Sequence, residues 1–142
     1  MILFCDTSAL MKLYAQEQHS DWTRQLVLSA DSCIVSQITW VEMCAALALK
    51  GRTSQLTHAE IDTAMQRLRL EWPAYIQLAV DKFLISTAGE LALIFGLRAY
   101  ESLQLASAQR THSQVGNNLV FACFDKQLSA AAVALGIKTL LP

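Results

Sequence analysis

Charge is what this chain has least of. Only 16% of its 142 residues are Asp, Glu, Lys or Arg, against ~25% in ordinary globular domains, while 54% are hydrophobic. Such a greasy chain lies far from the low-hydrophobicity, high-charge class of disordered segments. It also lacks a long apolar run. Leu91–Leu97 is cut by Arg98 and Ala130–Ile137 by Lys138, so no stretch reaches the ~18–20 residues a bilayer span needs. The amino-terminal MILFCDTSALMKL has no basic n-region and carries Asp6 inside its apolar run, which argues against a signal peptide. No CxxC pair occurs among Cys5, Cys33, Cys44 and Cys123, and the histidines are scattered at His19, His58 and His112, a pattern that argues against zinc. The cysteines sit among apolar neighbours, as free buried thiols of a reducing cytoplasm do. There is no basic excess either. A net charge of −1 argues against a broad phosphate-binding patch, yet leaves room for an enzyme that meets phosphates through cations held on carboxylates. No repeat, low-complexity segment or linker divides the chain, so one domain over residues 1–142 is expected.

What is present is an alternation of short apolar runs with longer helical patterns, the mark of a parallel sheet covered by helices. Strands are expected at Ile2–Cys5, Cys33–Val35, Tyr75–Val80, Leu119–Phe124 and Ile137–Leu140. Asp6 caps a helix through Leu10 and Leu13; Asp21 starts another; Trp40–Gly51 is a third. Thr57 to Glu60 forms a capping box for a helix that Pro73 ends. Asp81 caps a helix stopped by Gly96, Tyr100–Gln109 is helical, a polar loop spans His112–Asn118, and Asp125 opens a last helix over Lys126–Leu135. The fold class is therefore α/β, a single doubly wound domain.

Asp6 and Asp125 directly follow strands, Glu42 lies inside the apolar ITWVEMCAALAL, and Glu101 opens the apolar LRAYESLQLASA. Ligands of open parallel sheets bind beyond the carboxyl ends of the strands, where strand order reverses, so these acids are expected in one pocket. Carboxylates ~4 Å apart repel by about 4 kcal/mol at an effective dielectric of ~20, and a hard divalent cation relieves that repulsion. Mg²⁺ takes oxygen ligands and keeps waters for substrate chemistry, which points to phosphodiester hydrolysis.

DTSAL at Asp6–Leu10, Glu42 in SQITWVEMCAAL, GLRAYESLQLASA at Gly96–Ala108 and FACFDKQLSAAA at Phe121–Ala132 together resemble the PIN domain, specifically the VapC-type toxins, along essentially the whole chain. The resemblance implies a parallel five-stranded sheet sandwiched by helices and a Mg²⁺- or Mn²⁺-dependent endoribonuclease. Its acidic quartet falls on Asp6, Glu42, Glu101 and Asp125, and Ser8 matches a hydroxyl position supporting the first aspartate. It also implies a cytoplasmic protein with an RNA substrate, a cognate antitoxin whose tail covers the site, and a homodimer. Glu101 stands where the family usually has Asp, Gln104 where His is frequent, and Cys123 where Thr or Ser is common. These departures motivate an alternative, a degenerate PIN domain that binds RNA or protein without cleaving. A phosphorelay receiver does not fit, because no acidic pair precedes Asp6. Lys12, Lys50, Arg52, Arg98 and Lys126 flank the acidic segments as candidate RNA contacts, and the helix pair between Gln37 and Trp72 is the expected dimer or antitoxin surface.

Overall fold

In the computed structural model, which describes residues 1–142, the first strand β1 (Ile2–Cys5) lies between two parallel neighbours. The elements then run α1 (Thr7–Tyr14), α2 (Ser20–Ser29), β2 (Ser32–Ser36), α3 (Ile38–Arg52), α4 (His58–Glu71), β3 (Ile76–Leu78), α5 (Lys82–Phe95), α6 (Ala99–Val115), β4 (Leu119–Ala122) and α7 (Lys126–Ala134). The sheet order is β3-β2-β1-β4, all parallel, with Phe4 level with Ile34 on one side and Phe121 on the other.

Side chains alternate across the sheet, and both faces are covered. Phe4, Ile34 and Phe121 pack with Leu84 of α5, Leu105 of α6 and Leu128 of α7. Leu3, Cys5 and Val35 point the other way, against Leu10 of α1, Met43 of α3 and Leu68 of α4. That is why ILFC and LVFA read as unbroken apolar runs rather than alternating ones. No single helix is long and apolar enough to cross a membrane.

Three expectations need correction. The fifth strand shrinks to one bridge between Phe121 and Thr139, with Phe121 N–H donating to the Lys138 carbonyl at 2.8 Å. The ladder goes no further at Cys123, whose carbonyl accepts from Ser129 Oγ at 3.1 Å, and Pro142 offers no N–H beyond it. The strand expected over Tyr75–Val80 keeps only Ile76–Leu78, since as an edge strand it pairs with β2 alone. The polar segment starting at His112 is still helix: α6 runs to Val115, with Thr111 and Ser113 hydroxyls bonding back to the carbonyls of Ser107 and Arg110, and stops at Gly116, whose φ is +61°.

This topology sets the site. Strand order reverses at β1, where β2 lies on one side and β4 on the other. α6 feeds the start of β4, so its own amino terminus lies at the opposite, carboxyl edge of the sheet, beside the ends of β1 and β4.

Candidate active site

Asp6 leaves β1 in extended conformation and caps α1. Its Oδ1 accepts from the Ala9 N–H at 2.9 Å and from the Ser8 hydroxyl at 2.7 Å, while Cys123 Sγ lies 3.1 Å from Oδ2. Its own N–H donates to the Ala122 carbonyl at 3.1 Å, joining it to the end of β4. The residue is 4% exposed. Burial pushes its pKa up to about 6, with the hydrogen bonds pulling down and the neighbouring Glu42 charge pushing further up. Burial, and then the Asp6 charge, hold the Cys123 thiol far above its usual range, so it stays a protonated donor to the carboxylate.

Asp125 caps α7, its Oδ1 accepting from the Leu128 N–H at 2.8 Å. Ser8 links the two loops, because the same oxygen that donates to Asp6 accepts from the Phe124 N–H at 2.8 Å.

Glu42 is half-buried in the second turn of α3. Its Oε1 accepts from Thr7 Oγ1 at 2.9 Å and from Gln104 Nε2 at 2.7 Å. Gln104 is 2% exposed, its amide nitrogen also lies 2.8 Å from Thr39 Oγ1, and its Oε1 is buried with no partner. One amide thus ties α1, α3 and α6 together around the Glu42 carboxylate. Thr7 and Thr39 are absent from the sequence-based set. Thr39 precedes Glu42 by one helical turn, the spacing that puts it on the same helix face, whereas Thr7 reaches Glu42 only across the contact between α1 and α3.

Glu101 occupies the third position of α6, its Oε2 accepting from the Arg98 N–H at 3.0 Å and its Oε1 from Arg98 Nη2 at 2.9 Å. Burial raises its pKa, but the Arg98 N–H and guanidinium outweigh that and hold the carboxyl below the usual range, with Asp125 a smaller neighbouring influence. The quartet therefore falls into two pairs at one edge, Asp6 beside Glu42 and Glu101 beside Asp125. Glu42 and Glu101 line one cleft of about 850 Å³, together with Val41, Leu49, Arg52 and Arg98.

As they stand, no three His, Cys, Asp or Glu side chains are arranged to hold a metal ion. The donor set nonetheless fits a hard divalent cation. Every candidate ligand atom is a carboxylate oxygen, and Asp6 and Glu42 are held only by neutral donors, with no cationic side chain to balance two adjacent charges.

The flanking bases are less available than their positions suggest. Lys12 is buried, with Nζ 4.4 Å from the centroid of the Phe124 ring and 3.3 Å from Glu17. Lys50 reaches the same glutamate at 2.6 Å. Burial raises the Glu17 pKa, but its two lysines more than reverse this and keep it below the ordinary value. Arg98 is spent on Glu101, whereas Arg52 lines the cleft and Lys126 is exposed at the start of α7.

The PIN domain family model matches residues 3–134. The chain is 30% identical over 138 residues to Ribonuclease VapC45 of Mycobacterium tuberculosis, covering 96% of this chain and 93% of the relative. Among solved structures it is similar to FitAcB from Neisseria gonorrhoeae, with a TM-score of 0.68 and 21% identity over 100% of this chain and 98% of the other. It is also similar to a toxin-antitoxin complex from Klebsiella pneumoniae, with a TM-score of 0.66 and 18% identity, again over 100% and 98%.

Proposed function

The chain belongs to the PIN domain family, and from that premise we propose that it is an endoribonuclease, the toxin of a toxin–antitoxin pair, hydrolysing RNA phosphodiester bonds with Mg²⁺ or Mn²⁺. It acts in the cytoplasm as a homodimer of single PIN domains over residues 1–142, restrained by a cognate antitoxin laid over the site. The ribonuclease name of the relative and the toxin–antitoxin neighbour support this reading. The observation that carries it is Asp6: a buried carboxylate at the carboxyl end of β1, beside Glu42, without a cation.

Asp6, Glu42, Glu101 and Asp125 are the residues that would hold the ion. Bound there, such an ion would lower the pKa of a water and offset phosphodiester charge. Ser8 and the Ala9 N–H fix Oδ1 of Asp6, which leaves Oδ2, facing only a weak thiol donor, to the ligand. Thr7 and Gln104 both bind Oε1 of Glu42 and so present Oε2. The Arg98 side chain is 86% exposed, so it can swing off Glu101 toward the substrate phosphate, freeing that carboxylate to orient the attacking water.

The test is cleavage of structured RNA with Mg²⁺ or Mn²⁺, by the parent chain and by Asp6→Ala and Asp125→Ala. Cleavage is expected to vanish in both variants and in excess EDTA; activity that survives these changes overturns the assignment. Full engagement of Glu101 by Arg98 supports a second reading, a PIN domain that binds RNA or protein without cleaving it. A calorimetric titration of the same parent chain separates the two: no heat at millimolar Mn²⁺ favours the binding module.

A further inference from the structure

We propose that His19, Phe124 and the Lys12 cation form a stacking platform for an unpaired RNA base next to the bond being cut. This rests on the endoribonuclease reading and gives it a substrate-recognition element.

His19 is the first observation. It precedes α2 with φ +69° and ψ +10°, left-handed backbone that a residue bearing a Cβ adopts at a cost, and its side chain makes no capping hydrogen bond to the helix it introduces. No helix-capping role explains that conformation. What the conformation achieves is placement. The imidazole is exposed, yet lies nearly parallel to the half-buried Phe124 ring, at 5.8 Å between centroids and 12° between planes. Trp22 meets the same ring edge-on at 6.1 Å and 85°, and Lys12 Nζ lies 4.4 Å from its centroid. Core packing accounts for Phe124, which joins the cluster beneath α1 and α3, and Trp22 is half-buried against its edge. It does not account for an exposed ring held flat against Phe124.

The second observation is location. Phe124 is the residue between Cys123 and Asp125, and its N–H donates to the Ser8 oxygen that in turn donates to Asp6. The stack is therefore one residue from one carboxylate of the quartet and two hydrogen bonds from another. Nearby, Glu17 carries a single charge against those of Lys12 and Lys50, which leaves a local positive excess. Flat aromatic faces in this positive field, at a site proposed to cut phosphodiesters, suit a splayed-out nucleobase; any base will stack, because each has a π-face.

The measurement is fluorescence anisotropy of a labelled mixed-sequence single-stranded RNA in EDTA, with the full chain, His19→Gly, His19→Tyr and Phe124→Leu. The same RNA is also prepared with an abasic site at each position in turn. His19→Gly removes the ring without backbone strain and is expected to weaken binding about tenfold. His19→Tyr should restore it, and one abasic position should abolish the difference between parent and His19→Gly. Since His19 is exposed, this pair reports even where Phe124→Leu fails to fold. RNA bound equally well by parent and His19→Gly, with every abasic RNA equivalent, overturns the platform and leaves the nuclease reading standing. No RNA binding by the parent chain overturns the platform, while the nuclease reading stands or falls on the cleavage assay with Mg²⁺ or Mn²⁺.

Discussion

Asp6 is ionised at neutral pH in a place that disfavours the charge. Its pKa rises from 3.8 to about 6, chiefly through burial, so between those values the folded chain binds more protons than the unfolded one. Stability therefore falls as pH climbs through that window, by about 3 kcal/mol in all, and recovers as pH drops through 6. Asp6→Asn keeps the acceptor for Ser8 and Ala9 and discards the charge. Its melting temperature in EDTA should exceed the parent's by several degrees at pH 7.5, and the gap should close near pH 4; a variant that melts no higher at pH 7.5 contradicts the account. Asp6 and Glu42 were legible as candidates because an acid inside an apolar run is costly. Their supports were not. Gln104 meets Thr7 and Thr39 only after α1, α3 and α6 have packed, and no local pattern announces hydrogen bonds between residues so far apart in the chain.

Among the elements, boundaries followed local chemistry where caps were strong. The capping box at Thr57 and Glu60 and the Asp81 cap begin α4 and α5 as expected. They failed where a polar surface helix carried no stop signal before Gly116, and where strand length depended on partners: β3 has one neighbour, and the last segment ends in a proline. The turn joining α5 to α6 has a sharper requirement. Gly96 caps α5 with φ +66°, its N–H on the Ala92 carbonyl, and Arg98 and Glu101 follow directly. An added Cβ meets nothing within 4 Å, so the cost of Gly96→Ala is conformational alone, ~1 kcal/mol. A thermal melt should show a loss of a few degrees with the same cooperativity, and an unchanged midpoint counts against a left-handed cap.

At the scale of the whole molecule, the apolar excess lies partly outside the core. The sequence located a surplus between Gln37 and Trp72, and Val41, Leu49 and Leu70 are indeed exposed there. The denser surface is on α5, where Phe83, Ile85, Leu93 and Ile94 all face out, Leu93 at 89% exposure. That helix also buries Leu84, Ala88 and Leu91, and a helix apolar on both sides offers no periodicity from which to read its free face. Patches of this kind mark contact surfaces on folded chains. Sedimentation equilibrium at micromolar concentration is expected to give a dimer, which Leu93→Lys combined with Ile94→Lys reduces to a monomer; a parent chain that sediments as a monomer removes the dimer from the proposal.

The pairing of Ile2 with Leu119 has a temporal meaning. A ribosome releases the first strand long before the strand that completes its pairing, and Asp125 just beyond it. Until β4 has emerged, a growing chain carries Asp6 without Asp125 and without the strand that holds their two loops together, so the proposed site cannot assemble before that pairing forms.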